Sequence, residues 1–143
     1  PDSQIIVFTR NGMCLRFSGQ TISASSRTAI GVKAITLAED DCVVDALYLS
    51  GEQYIMIFQE NGIAKRVPIE EFIFQNRAGK GIICHKPGNV IAACPVNEDH
   101  MVLVIGDKSS ICINAIDITS GSRAASGVVA IRGNKVIGIA RIN

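Results

Sequence analysis

The sequence predicts an all-β protein with a propeller-like architecture. Hydrophobic residues make up 48% of the 143 residues, only 5% are aromatic and none is Trp, so aliphatic side chains must form the core. The 13 glycines and the many β-branched residues favour strands and turns. The chain also contains three units of 46–50 residues that each read as four short strands, a repeat typical of propeller-like architectures.

The first unit shows how the strands are inferred. An apolar run is followed by Asn11-Gly12, a dipeptide that predicts a type I′ hairpin. The four predicted strands of this unit are 5–9, 13–17, 31–35 and 42–49. In the second unit the run at 54–58 is continuously apolar, which indicates a strand covered on both faces.

Markers at fixed offsets support the repeat. Three of them recur 50 residues later: Gly12 as Gly62, Arg27 as Arg77, and Gly31 as Gly81. The third unit follows at a shorter spacing, since Arg123 lies 46 residues after Arg77 and Gly127 lies 46 residues after Gly81. We therefore treat 1–143 as one domain with repeats at about 4–50, 51–97 and 98–143.

Three blades would leave the ring open, because closed propellers usually have four to eight blades. Either a second copy of the chain closes the ring, or a longer protein supplies more blades. We favour a fragment of a larger ring, since the chain starts at Pro1 without a Met. Exposed strand edges are a route to self-association, which we also expect here.

Composition excludes several classes of protein. Lys plus Arg exceed Asp plus Glu by only 14 to 13, so an argument for nucleic acid must rest on the placement of charges. Five cysteines inside apolar runs, without a C-x-x-C motif, indicate free buried thiols in a reducing cytoplasm. His85 has no second ligand at zinc spacing, so we predict no metal and no cofactor. No apolar run approaches the roughly 18 residues of a membrane span, and no signal peptide is present.

Residues 75–81 form a candidate anion-binding loop. Gly79 and Gly81 flank Lys80, and Arg77 lies just before them. Glycine permits a positive φ, and consecutive N–H groups in such a turn form a concavity that binds anions. The spacing is not that of a P-loop. Taken alone, the seven residues favour an ordinary surface turn with solvated charges.

The units resemble blades of the C-terminal domain of the A subunit of bacterial type IIA topoisomerases, DNA gyrase and topoisomerase IV. The second unit carries the resemblance through its Asn61-Gly62 turn, its Lys65-Arg66 pair and the loop at 75–81. The loop is similar to the gyrase box, Q-R-R-G-G-K-G. Five positions match, while Asn76 replaces an arginine and Ala78 replaces a glycine. Degenerate boxes are typical of topoisomerase IV, so both enzymes stay open and gyrase is favoured.

The resemblance implies a β-pinwheel, a propeller-like ring whose blades exchange a strand with their neighbours. It also implies a DNA-wrapping module that supports ATP-dependent supercoiling by the whole enzyme. The implied partners are double-stranded DNA, the remainder of the A subunit and the ATPase B subunit, in the bacterial cytoplasm with the nucleoid. The catalytic tyrosine of this family lies in another domain, so no catalytic residue is expected here, and Tyr48 and Tyr54 are predicted to pack between strands.

The predicted DNA contacts combine loop residues with cations at repeating positions. They are Gln75, Arg77, Gly79, Lys80, Gly81, Lys65, Arg66, Arg27, Lys33 and Arg123. Lys65 and Arg66 are adjacent on a strand and point to opposite faces, so we expect one to face the rim freely and the other to pair with an acid. Without interleaved aromatics or a recognition helix, contact would be through phosphates and sensitive to salt.

Two other functional classes are alternatives to a DNA-wrapping module. A propeller-like protein-interaction module without DNA binding would be favoured if the basic residues lay on unrelated faces. A stand-alone enzyme has no support, because no catalytic motif is present and His85 and His100 are the only histidines.

Overall fold

The computed structural model describes residues 4–22, 31–85 and 88–143, and over these ranges the fold is all-β, as predicted. Their strands are β1 (Gln4–Thr9), β2 (Met13–Ser18), β3 (Val43–Leu49), β4 (Tyr54–Gln59), β5 (Ile63–Pro68), β6 (Ile82–Ile83), β7 (Val90–Val96), β8 (Met101–Gly106), β9 (Ser110–Asn114), β10 (Val128–Val129) and β11 (Val136–Ile142). Short 3-10 turns follow the second strand of each repeat at Gly19–Thr21, Ile69–Glu71 and Ala115–Asp117. No helix in the described ranges is long and apolar enough to cross a membrane.

The strands form three antiparallel sheets that exchange strands between repeats. The strand order is β3-β1-β2-β6 in the first sheet, β7-β4-β5-β10 in the second and β11-β8-β9 in the third. β6 belongs to the second repeat but pairs with β2 of the first, and β10 of the third repeat pairs with β5 of the second. This exchange confirms the β-pinwheel implied by the resemblance, and the three sheets form an open structure rather than a closed ring.

The predicted count of four strands per blade holds for two of the three sheets. The predicted strand at 31–35 is wrong, because these residues form no strand. Its counterparts β6 and β10 each pair with the second strand of the preceding repeat, and no such strand lies beside 31–35 among the described residues. The third sheet has three described strands, and no described strand pairs with the outer edge of β9.

The first two hairpins differ from the predicted type I′ turns. A type I′ turn needs a positive φ at both central residues. Gly12 and Gly62 have φ of 86° and 91°, but neither Asn11 nor Asn61 has a positive φ. The register pairs Phe8 with Cys14 and leaves a three-residue loop that ends in the left-handed Gly12, and loops of this length usually contain a type I turn followed by such a residue.

The sheets stack face to face with a core on each side of the second sheet. β4 is covered on both faces, as its continuous apolar run predicted, because alternate side chains point to opposite sides. Ile55 and Ile57 pack towards the first sheet, while Met56 and Phe58 pack towards the third. At one end of the stack, a smaller cluster on the outer face of the first sheet contains Val7, Leu15, Phe17 and Ile35.

Two expectations about burial need correction. Tyr48 was predicted to pack between strands, but it is 61% exposed because it lies on the outer face of the first sheet. Tyr54 is half-buried, as expected of a packing residue. All five cysteines are free thiols; three are buried, but Cys42 and Cys112 are exposed.

The stability of the fold should fall by roughly 2–3 kcal/mol as the pH drops from 6.5 to about 4. His85 is buried, and mainly burial, with a smaller effect of the Lys65 charge, lowers its pKa from 6.5 to about 4. In this window the unfolded chain binds a proton at His85 and the folded chain does not, so acid favours unfolding. Denaturant titrations at several pH values measure this loss. A His85→Leu variant should lose that part of the pH dependence, and an unchanged pH slope would contradict the assignment.

Candidate nucleic-acid interface

The loop at 75–81 is a tight turn fixed at its start by the first sheet. The backbone N–H of Gln75 donates to the carbonyl of Arg16 at 2.8 Å, and the N–H of Gly79 donates to the carbonyl of Asn76 at 3.2 Å. Gln75 itself is half-buried. Ala78 has φ of 73° and is the one described non-glycine residue with a positive φ. The backbone is therefore left-handed at the position where the gyrase box has a glycine.

The segment at 33–36 runs beside this loop and is hydrogen-bonded to it. The N–H of Ala78 donates to the carbonyl of Ala34, and the N–H of Thr36 donates to the carbonyl of Gly79, both at 2.8 Å. The Arg77 guanidinium donates through Nη1 to the carbonyl of Lys33 at 2.7 Å. These bonds bring three predicted contact residues from two repeats, Lys33, Arg77 and Lys80, onto one edge of the molecule, here named the basic edge.

The charges of the basic edge are available to a ligand. Lys33 and Lys80 are exposed and Arg77 is half-buried. Within the described ranges, the ion pairs are Arg66 with Glu98, Lys135 with Glu60, and Arg141 with Glu52, so none involves the basic edge. An exposed lysine without an acidic partner is free to contact phosphate.

Lys80 shares a cavity of about 460 Å³ with Asp41. Burial alone would raise the pKa of Asp41, but hydrogen bonds from Thr9, Asn11 and Cys42 outweigh it and lower the pKa. The Asp41 carboxylate accepts the backbone N–H of Asn11 at 2.9 Å and that of Cys42 at 2.8 Å. The negative charge of Asp41 is therefore stabilised by hydrogen bonds from backbone N–H groups of the protein.

Gly81 is the last residue of the loop and directly precedes the exchanged strand β6. Its φ is 82°, and a Cβ at this position would collide with the carbonyl oxygen of Cys14 on β2. Gly127 repeats the arrangement, because a Cβ there would lie 2.7 Å from the carbonyl oxygen of Ala64 on β5. At Gly79 the added Cβ would lie 3.2 Å from the carbonyl oxygen of Asn76. Gly81 and Gly127 thus allow the backbone to approach the neighbouring repeat, while Gly79 allows a close contact within its own loop.

Lys65 is buried between repeats, although it was predicted on the DNA-facing rim. Its side chain is 1% exposed, and Nζ donates to the carbonyls of Arg123 and of Ala125, the latter at 3.0 Å. Burial is the main cause that lowers the pKa of Lys65. The strand exchange is the physical reason, because it carries the third repeat across β5.

Arg66 is buried as well, and it makes the acid contact expected of one member of the pair. Its Nε donates to the carbonyl of Ile118 at 2.9 Å, and the guanidinium lies 4.3 Å from the centre of the Tyr54 ring. Nη1 lies 3.8 Å from Oε1 of Glu98. The expectation that either Lys65 or Arg66 projects freely from the rim is therefore wrong, since β5 is covered on both faces.

Arg77 and Arg123 make the same contact one repeat apart. Arg123 Nη1 donates to the carbonyl of Ile83 at 2.6 Å, just as Arg77 binds the carbonyl of Lys33, which is the counterpart of Ile83 50 residues earlier. Arg123 Nε also donates to the carbonyl of Glu71 at 2.7 Å. Arg123 thus joins β6 of the preceding repeat to its own loop, and Arg77 joins the segment at 33–36 to its own loop. Arg27 lies outside the described residues.

A second kind of contact between repeats, made by arginines on the second strand of a repeat, was not predicted from the sequence. Arg16 on β2 donates through Nη1 to the carbonyl of Phe72 at 2.9 Å and lies 4.3 Å from the centre of the Phe74 ring. Arg66 is its counterpart 50 residues later and binds the corresponding carbonyl of Ile118. The 50-residue spacing of Arg16 and Arg66 was the sequence signal that could have predicted these contacts.

Among the described residues, no three His, Cys, Asp or Glu side chains are grouped to hold a metal ion.

Propeller-like sheets that exchange their third strand define the β-pinwheel class of domains. The family model described as the DNA gyrase C-terminal domain, beta-propeller, matches residues 3–50 and 53–84. The chain therefore belongs to the family of DNA gyrase C-terminal domains.

Two sequence relatives agree with the assignment to this family. The chain is 33% identical to the A subunit of DNA gyrase from Staphylococcus epidermidis over 152 residues, which cover 99% of this chain and 17% of the relative. It is 36% identical to the A subunit of DNA gyrase from Staphylococcus aureus over 135 residues, covering 90% of this chain and 15% of the relative. The chain thus spans about a sixth of the length of these relatives.

Solved structures show the same fold at lower identity. A DNA gyrase A C-terminal domain matches with a TM-score of 0.93 and 22% identity, covering 99% of this chain and 51% of that one. The C-terminal domain of a DNA topoisomerase IV matches with a TM-score of 0.91 and 21% identity, covering 98% of this chain and 46% of that one.

An Ala78→Gly substitution should raise the free energy of unfolding by about 0.5–1 kcal/mol, because alanine is strained at a positive φ. The matched control is Ala124→Gly, the same position of the next repeat, where φ is not positive. There glycine should instead lower stability by about 0.4–1 kcal/mol, since it adds entropy to the unfolded chain. Denaturant unfolding of both variants measures the difference. Equal effects at the two positions would contradict the strain.

Proposed function

We propose that this chain is a duplex-DNA-binding module that bends DNA across its basic edge as part of the A subunit of a bacterial type IIA topoisomerase. The observation that carries the proposal is the pairing of segment 33–36 with the loop at 75–81. This pairing collects Lys33, Arg77 and Lys80 on one edge, without an acidic partner among the described residues. Family membership supports it independently.

The chemistry of this edge suits the phosphate backbone of DNA. Lys33 and Lys80 supply exposed ammonium groups, which bind phosphate as point charges. Arg77 uses Nη1 for the Lys33 carbonyl and keeps its other terminal nitrogen, Nη2, for a phosphate. Such contacts do not depend on base sequence and weaken steeply with salt. Preference among sequences would come from how readily the DNA bends.

The hydrogen bonds behind the edge make it a fixed surface. The carbonyls of Lys33 and Ala34 and the N–H of Thr36 are all bonded to the loop, so the cations cannot separate without breaking backbone bonds. Arg123 holds the corresponding position of the next repeat in the same way. A bent duplex could therefore follow equivalent positions from one repeat to the next.

In the whole enzyme, this module would work with the remainder of the A subunit and with the ATPase B subunit, in the bacterial cytoplasm and nucleoid. It would wrap DNA for ATP-dependent supercoiling and would need no cofactor of its own. The five matching positions of the gyrase box favour gyrase over topoisomerase IV.

A Lys80→Ala substitution should weaken binding to any linear duplex of a few tens of base pairs and reduce the slope of log affinity against log salt by about 0.9. The matched control is Lys135→Ala, an exposed lysine whose Nζ already lies 3.9 Å from Glu60 Oε1. Fluorescence anisotropy across a salt series measures both variants.

The control should keep the parental slope. If Lys80→Ala also keeps it, the basic edge does not carry phosphate contact. That result would favour a protein-interaction module, in which the cations serve the bonds between repeats.

A further inference from the structure

Two apolar side chains project from the surface of the middle repeat, directly before the loop at 75–81. Ile73 is 55% exposed and Phe74 is 53% exposed. The other four phenylalanines of the chain are each at most 1% exposed. Phe74 is thus the one phenylalanine whose ring a ligand can reach.

The fold itself does not require apolar residues at this position. Thr119 and Ser120 are the counterparts in the third repeat, 46 residues later, and both are exposed. The backbone arrangement is the same there, because Ser120 forms a parallel bridge with Arg66 just as Phe74 does with Arg16. Two small polar residues are therefore sufficient for this turn of the chain, and the apolar pair of the middle repeat is available for a contact outside it.

Packing and hydrogen bonds fix the backbone on both sides of the pair. Phe72, just before it, is buried in the core, and its carbonyl accepts Arg16 Nη1 at 2.9 Å. After the pair, the N–H of Gln75 donates to the carbonyl of Arg16 at 2.8 Å. The Arg16 guanidinium also lies 4.3 Å from the centre of the Phe74 ring and supports it. A side chain that is already held in place loses little entropy when it contacts a ligand.

The cations of the basic edge lie close enough to bind the same stretch of duplex. Arg77 follows Phe74 by three residues, so their Cα atoms are at most about 11 Å apart. The major groove of DNA is about 12 Å wide. Arg77 and its hydrogen-bonded neighbour Lys33 can therefore bind phosphates at the border of a groove that Phe74 enters. The exposed Glu70 also lies near Arg16, whose guanidinium opposes its charge.

The direction in which the DNA must bend favours the major groove. An apolar side chain inserted into the minor groove opens that groove and bends the duplex towards its major groove, away from the inserted side chain. The proposed function requires a duplex that curves towards the protein. In the major groove, the apolar group on display is the C5-methyl of thymine. A protein ligand is disfavoured, because a stable interface needs about 800 Å² on each partner, more than two side chains supply.

We propose that Phe74, with Ile73 beside it, contacts the C5-methyl of thymine in the major groove of the bound duplex. The inference rests on the proposed function, since phosphate contacts at the basic edge position the duplex. Phosphate contacts carry no sequence information, whereas an apolar contact with a methyl group does. The contact gives the module a preference for thymine where the major groove faces the middle repeat.

Two duplexes that differ only in carrying thymine or deoxyuridine test this contact, because deoxyuridine lacks the methyl group and keeps every phosphate. The parental chain should bind the deoxyuridine duplex about fourfold more weakly, the change expected for one lost methyl contact. Phe74→Ser, which introduces the residue of the third repeat, should bind both duplexes equally and keep the parental salt slope. The matched control is Ile137→Ser, which changes a 57% exposed side chain on β11, at the opposite edge of its sheet from β9. This control should keep the fourfold difference.

The outcomes separate this contact from the proposed function. Equal binding of the two duplexes by the parental chain would overturn the thymine contact and leave phosphate binding by the basic edge intact. A Phe74→Ser variant that still discriminates between the duplexes would overturn it too. Failure of the parental chain to bind either duplex at low salt would contradict the proposed function, and the thymine contact would be lost with it.

A second variant reports directly on the position of the ring. The chain has no Trp, so after Phe74→Trp all indole emission comes from position 74. Binding of the thymine duplex should shield this indole from quenching by acrylamide, whereas the indole of an Ile137→Trp variant should stay as accessible as in the free chain. Equal quenching at position 74 with and without DNA would overturn the proposal.

Discussion

The structure depends on the exchange of one short strand between consecutive repeats. β6 and β10 contain two residues each, yet each completes the sheet of the repeat before it. The exchange requires the backbone to pass very close to the neighbouring second strand, which is why Gly81 and Gly127 have no Cβ to clash with the carbonyls of Cys14 and Ala64. Without this contact the second strand of the preceding repeat would present an open edge.

The basic side chains between repeats follow from the same constraint. Exchange brings backbone carbonyls of one repeat over the strands of the neighbouring repeat, and carbonyls that lose water need donors. Lys65 and Arg66 supply them on β5, while Arg77 and Arg123 supply them at the loops. The chain therefore divides its cations between those that join repeats and those, such as Lys80, that face solvent.

Much of this could be predicted from the sequence, because spacing and alternation are local signals. The offsets of 50 and 46 residues located the sheets, and the apolar run of β4 predicted its double coverage. The predicted type I′ turn was wrong because the loop has three residues. The dipeptide Asn-Gly also occurs in such a loop, with the glycine as its left-handed last residue. The strand predicted at 31–35 failed because a strand needs a partner, which local pattern does not reveal.

The candidate site was predictable only where it depends on local sequence. The loop at 75–81 was located by its composition, and its pairing with segment 33–36 is a long-range contact that no local motif encodes. The burial of Lys65 and Arg66 was unpredictable from alternation, which assigns faces of one sheet but not the repeat that covers them. The left-handed Ala78 could be anticipated only from the glycine that the gyrase box has at that position.

Native-state hydrogen exchange tests the central role of the exchanged strands most directly. The informative amides are those of Cys84, which donates to the Gly12 carbonyl at 2.7 Å, and Ala130, which donates to the Gly62 carbonyl at 2.8 Å. If exchange holds the repeats together, both should open only with global unfolding, at the same free energy as the Ile57 amide in β4. Opening of Cys84 and Ala130 at a much lower free energy, with Ile57 still protected, would contradict this account.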